Sequence, residues 1–172
     1  MLCLASFFSD SVPAGVPCYS AARWQPREKR RFPKLAFLAP VRADGTAIAG
    51  LSSGEYLREY GQALCARAGE LVSWLERLSP AQDLALLCWC RPQRQRSHCG
   101  LMCHTIAIGW LVEAVRPDVP VVYLDGREGP VWGPDERESF LRHVVPVLEA
   151  AREPRVSPVP RDVVAAVLAR LR

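Results

Sequence analysis

The stretch "DLALLCW", Asp83 to Trp89, is apolar at every position after its first residue and is bounded by turn signals. A run this short and this continuous fits a strand buried on both faces. Some fifteen residues later "HTIAIGWLVEAV", residues 104 to 115, is long enough for a helix, and Pro117 lies beyond its end. A strand with no polar face needs cover on both sides. In a chain that alternates strand and helix, that cover comes from crossover connections on a parallel sheet.

The rest of the chain supplies the partners. Residues 1 to 8 are apolar and aromatic, ended by Asp10 and Pro13, and read as a first buried strand. Residues 17 to 24 form a second short apolar segment, and 35 to 51 read as loop and turn. Ser52 and Glu55 have capping-box spacing. After them Leu57, Tyr60, Leu64, Ala68, Leu71, Leu75 and Leu78 form one helical face, stopped by Ser79-Pro80. "VPVVYL", residues 119 to 124, is another buried strand that turns at Asp125-Gly126. A Gly/Pro loop covers 127 to 134, and a helix follows from about Asp135 to Glu153, with a kink expected at Pro146. A short helix is expected near Asp162 to Leu171. The expectation is a single Rossmann-like α/β domain over residues 1 to 172, with a largely parallel central sheet, right-handed crossovers and flanking helices. It carries a basic loop at 23 to 34, a Cys/His-rich loop at 88 to 104 and a C-terminal helical extension at 154 to 172.

A length of 172 residues suits one core, and 49% hydrophobic with 23% charged residues is ordinary for a globular chain. The net charge of +4 favours anionic ligands without pointing to nucleic acid. No segment approaches the roughly 20 apolar residues of a membrane span, so no membrane partner is expected. "MLCLASFFSD" reads as a strand rather than a signal peptide. The expected location is therefore cytoplasmic, where thiols stay reduced. Seven cysteines, an odd number, argue against a closed disulfide framework.

Four of those seven cysteines and two of the three histidines fall between Cys88 and His104. In a parallel sheet, ligands bind outside the carboxyl ends of the strands. Cys88 and Cys90 stand at such an end, and Cys103-His104 opens the following helix. A cysteine there feels the positive end of the helix dipole, which favours its thiolate. Arg91, Arg94, Arg96 and His98 lie in the loop between.

Several segments together resemble the domain-of-unknown-function 488 family. "LALLCWC", a polar loop and "CHTIAIGWL" resemble its apolar strand ending in Leu-Cys and its Cys-His at a helix start. "YSAARWQP" followed by "KLAFLAP" resembles its Arg-Trp-Pro-type segment and Leu-Ala-Pro turn, and "EYLREYGQAL" is similar to its Glu-Tyr…Tyr…Leu helix. The resemblance covers roughly residues 1 to 115 in order. It implies the architecture and a site at the Cys-His, with Cys103 matching the family cysteine better than Cys99 because His104 follows it. The family's Arg after Cys-His is Thr105 here, and His98-Cys99 is an addition. No generally established reaction comes with the family.

Three classes of chemistry fit the residues. The leading one is a thiol-dependent enzyme for a nucleotide-like or other anionic small molecule. Its catalytic candidates are Cys103, His104, Cys90 and His98; its anion-binding candidates are Arg23, Arg91, Arg94, Arg96 and Asp125. Cys88, at a strand end, reads as packing, because free cysteine is among the most buried residue types. Cys90 and Arg96 have the spacing of a phosphatase phosphate loop, but the five residues between contain no glycine and a proline that donates no N–H. The second class is a metal site in which Cys90, Cys99, Cys103 and His98 could hold zinc or an iron–sulfur cluster, at spacings that fit no paired zinc knuckle. The third is a nucleic-acid-binding module, in which the basic stretch 23 to 34 interleaves Trp24 and Phe32 with six cations; the plainer reading of that stretch is a solvated loop. His143 reads as structural, and Trp132 as a residue that could lid the pocket.

Overall fold

The computed structural model describes residues 1–27, 31–89, 103–124 and 134–153. Four strands, β1 (Leu2–Ser6), β2 (Cys18–Ser20), β3 (Leu84–Cys88) and β4 (Val121–Tyr123), form one sheet in the order β2-β3-β1-β4. Every pairing is parallel, with Leu2 opposite Leu84 and Ser6 opposite Cys88 along the central β1–β3 ladder. Among the described residues four α-helices accompany it: α1 (Ser53–Cys65), α2 (Ala68–Arg77), α3 (His104–Val115) and α4 (Pro134–Arg152). The expected α/β architecture with a parallel sheet is what the chain forms. Among the described residues no helix is long and apolar enough to cross a membrane.

The two faces of the sheet differ in side-chain size. Successive strand residues point to opposite faces. Leu2, Leu4 and Leu86 enter the main core together with the buried faces of all four helices. Cys3, Ala5, Ala85 and Leu87 lie on the other face, with Phe7 and Ala22, and are covered by the partly buried Phe8, Val12, Val16 and Phe32. Small residues on that second face suit a thin cover of loop. Burying the large leucines on the helical face supplies most of the driving force, at about 1.5–3 kcal/mol for each fully buried side chain.

One expectation needs correcting. The continuous apolar face from Leu57 to Leu78 belongs to two helices, not one. The chain breaks at Ala66 and Arg67, where Arg67 takes φ −121° and ψ 28° and its N–H turns back to the Leu64 carbonyl. A straight helix from Ser53 to Leu78 would be about 39 Å long, more than a domain of this size can cover. Breaking it lets both halves pack against α4. The capping box is formed as expected: the Glu55 carboxylate accepts from the Ser52 N–H at 3.1 Å and from its hydroxyl at 2.6 Å. At the far end, the Arg116 guanidinium donates to the Leu75 and Leu78 carbonyls and is held in place by Asp118. That arrangement satisfies carbonyls left open by the last turn of α2.

α3 lies directly on the sheet, in contact with β1, β3 and β4. Gly109 makes this approach possible. A Cβ there would lie 2.6 Å from the Tyr123 hydroxyl oxygen and 2.7 Å from Leu4 Cδ1. Tyr123 cannot simply swing away, because its hydroxyl donates to Glu113 Oε1 at 2.9 Å and Glu113 also pairs with Arg137 of α4. Gly109→Ala is therefore expected to destabilise the fold by about 1–3 kcal/mol. Gly69→Ala, where a Cβ meets nothing within 4 Å, should be neutral or stabilising by up to about 1 kcal/mol. Urea denaturation of the two variants beside the parent chain measures both.

Candidate functional site

The strand period decides what Cys88 does. Leu84, Leu86 and Cys88 share the helical face of β3, and Cys88 is the last of them, at the carboxyl end. α3 starts on that same face at the same edge, with Cys103 as its N-cap. The two sulfurs consequently meet at 3.3 Å, both buried. This exceeds the roughly 2.05 Å of a disulfide bond, so they stand as two adjacent thiols. Thr105, one residue into the helix, places Oγ1 2.8 Å from the Cys103 sulfur and 3.8 Å from that of Cys88. Thr105 is fully buried. Its hydroxyl can donate to the Cys103 sulfur, and together with the amino end of α3 it favours negative charge there.

His104 points elsewhere. Its Nε2 lies 2.9 Å from the carbonyl oxygen of Ala21, just past the end of β2. A carbonyl only accepts, so Nε2 carries the proton and donates it to Ala21. The imidazole is buried and meets the ring of Tyr60 edge to face, with centroids 5.8 Å apart. Tyr60 in turn donates its hydroxyl to the Leu38 carbonyl at 2.8 Å. A chain of contacts thus joins β3 to α3 through the sulfurs, α3 to the β2 exit through His104, and α3 to α1 and residue 38 through Tyr60. Five stretches of the sequence, around Ala21, Leu38, Tyr60, Cys88 and Cys103-His104, are joined by this chain of contacts.

Arg23 lies two residues beyond Ala21. Its guanidinium sits over the Trp24 ring at 5.5 Å from the centroid, and its carbonyl accepts from Lys34 Nζ at 2.6 Å. Lys34 is brought there because residues 33 to 35 run beside β2, with the Ser20 N–H donating to the Pro33 carbonyl and the Leu35 N–H to the Ser20 carbonyl. The basic stretch is anchored at both ends. The Gln25 side chain bonds the Phe32 backbone twice, at 2.7 and 2.9 Å, and the Phe32 ring packs on Phe7. Trp24 stays exposed, and Trp89 packs against Phe7 and Phe8 while donating its indole N–H to the Trp24 carbonyl.

Of the expected site residues, Cys103, His104 and Arg23 fall on the carboxyl edge of the sheet. Cys90, Arg91, Arg94, Arg96, His98, Cys99, Asp125 and Trp132 lie outside the described residues, as does the extension from 154. The expected metal set therefore has one described member, Cys103. Among the described residues no three metal-ligating side chains converge. Cys88, read as packing, is fully buried in a small apolar cluster with Cys103 and Ile106. Thr105, read only as the residue in place of the family's arginine, is the side chain that sequence reasoning did not place beside Cys103. His143 is an exposed residue of α4 that lies over Gly61 of α1.

The Tyr60 phenol is fully buried. Burial, and then the charges that Cys103 and Cys88 can carry, hold it well above its ordinary range. A group whose pKa rises on folding contributes stability that is whole below its unfolded value, near 10, and is lost as the pH climbs past it. Unfolding free energy should thus fall as pH rises above about 10. Tyr60→Phe should flatten that fall and cost about 1–2 kcal/mol at neutral pH, by leaving the Leu38 carbonyl without its donor. Urea midpoints of both chains across the alkaline range test this; equal slopes would contradict it.

No family model, no curated protein and no solved structure matches this chain.

Proposed function

We propose that the protein is a thiol-dependent enzyme that acts on an anionic, nucleotide-like small molecule at the carboxyl edge of its sheet, and that it belongs with the domain-of-unknown-function 488 family it resembles. The observation that carries this reading is the Cys88–Cys103 pair, with sulfurs 3.3 Å apart and a threonine hydroxyl 2.8 Å from one of them. Packing alone would need neither the second sulfur nor the hydroxyl, and both stand where ligands of open parallel sheets bind.

Cys103 is the nucleophile in this reading. It has the helix N-terminus and the Thr105 hydroxyl to support a thiolate. The sulfur forms a bond to the electrophilic atom of the substrate. The leaving group departs with its bonding pair and takes up a proton, and water then cleaves the sulfur–substrate bond to return the thiolate. His104 acts as a positioning residue: its Nε2–H is spent on Ala21, and its hold on the β2 exit keeps Arg23 at the same edge. Cys88, beside the nucleophile, can capture an oxidised Cys103 as a disulfide and so protect it from further oxidation. The resemblance supports the placement, because its Cys-His and Arg-Trp segments are the ones that meet here. A cytoplasmic setting, with reduced thiols, fits this chemistry.

Treatment of the intact protein with iodoacetamide at neutral pH, with peptide mapping by mass spectrometry, is the test. Cys103 is expected to alkylate faster than free cysteine, and Thr105→Val to slow it about tenfold, the loss of one hydrogen bond to a charged group. A Cys103 that reacts no faster than free cysteine would sink the proposal.

A further inference from the structure

A cleft of about 280 Å³ opens beside the β2 exit, between residues 34–45 and the start of α2. Three cations line it from three separate segments: Arg23 from the β2 exit, Lys34 from the strand-like segment beside it, and Arg67 from the break between α1 and α2. Among the described residues their hydrogen bonds to protein go to backbone only, Lys34 to the Arg23 carbonyl and Arg67 to the Ala36 carbonyl at 3.2 Å. Among the described residues no carboxylate pairs with any of the three. Arg42, nearby, differs: it is neutralised by Glu59 at 2.8 Å. One carboxylate, Glu70 of α2, shares the cleft without pairing to its cations. Phe37 and Val41 supply an apolar wall.

Three like charges facing one cavity repel one another, and an anion relieves that cost. A free phosphate takes the space of a few waters, at about 30 Å³ each, and would leave part of the cleft to solvent. The apolar wall and Glu70 answer to the rest of a ligand: a flat or apolar body and a hydroxyl or amine donor. We infer that this cleft binds a phosphate monoester of a small organic group. Arg23, Lys34 and Arg67 hold the phosphate, Phe37 and Val41 face the organic body, and Glu70 accepts from its donor. As the site for the anionic end of a substrate, the cleft rests on the function proposed above. As a binding site it stands without it, because no cysteine lines it.

Isothermal titration of the full chain with inorganic phosphate and with adenosine monophosphate, at low and at high salt, tests this. Saturable binding is expected for both, tighter for the nucleotide and weakened by salt. Lys34→Ala and Arg67→Ala should each weaken it about tenfold, the loss of one charge-assisted contact. Cys103→Ser should leave it unchanged. Arg67→Ala also removes the bond to Ala36, so Lys34→Ala decides the matter if thermal melting shows Arg67→Ala unfolded. Absence of saturable binding, or binding that Lys34→Ala leaves untouched, overturns the inference. Alkylation of Cys103 faster than free cysteine beside absent phosphate binding would overturn the cleft alone; alkylation no faster than free cysteine beside intact binding would overturn the thiol enzyme alone.

Discussion

A single buried hydrogen bond, from the His104 ring to the Ala21 carbonyl, joins the start of α3 to the exit of β2 across the carboxyl edge of the sheet. Both groups are buried. Breaking the bond would strand a donor and an acceptor, at about 1–3 kcal/mol for each group left unsatisfied. The geometry around it follows. With the first turn of α3 fixed over β3, Cys103 has to meet Cys88, and Thr105 has to meet Cys103. With the β2 exit fixed, Arg23 and the segment carrying Lys34 stay at the same edge. The imidazole thus does structural work that a reading of Cys-His as nucleophile and base would overlook.

In the reading we propose, a reactive sulfur pair and a cationic binding cleft lie at the same edge of the sheet. The sulfur pair is buried at the edge of the sheet, in one apolar cluster with Ile106. The cationic cleft is open and lined by long side chains on loops and helix ends. Chemistry at a buried, oriented group with binding at an exposed charged one is a common division of labour, since positioning costs entropy that is better met by the ligand's remote parts. The sheet explains why both fall together. β1 and β3 are adjacent, but the chain leaving β1 runs to the β2 side while the chain leaving β3 runs to β4. The β1 exit covers one face with Phe8, Val12 and Val16 while α3 covers the other, and adjacent strands that send the chain to opposite faces leave a crevice at their carboxyl ends.

Much of the frame was legible in the residues. The unbroken apolar run at 84 to 88 announced a strand covered on both faces, and the capping box at Ser52 and Glu55 marked the start of α1 to the residue. The break at Arg67 was not legible, because the apolar spacing runs through it without a glycine or proline at the break itself; only the length of sheet available to cover forces it. Cys88 was legible in principle. Counting by twos from Leu84 turns its sulfur to the helical face, but a lone cysteine in an apolar run reads as packing until the next helix is laid against it. The partner of His104 could not be read at all. Ala21 is 83 residues away in sequence, and it enters through a backbone carbonyl, which every residue type carries.

The central claim is that Cys88 and Cys103 face each other at the carboxyl edge. Mild oxidation of the native protein with diamide, followed by non-reducing peptide mapping, reads this directly. The account predicts a disulfide between Cys88 and Cys103 as the first to form, absent when either is replaced by serine. Oxidation that pairs each with other cysteines and never with one another would contradict it.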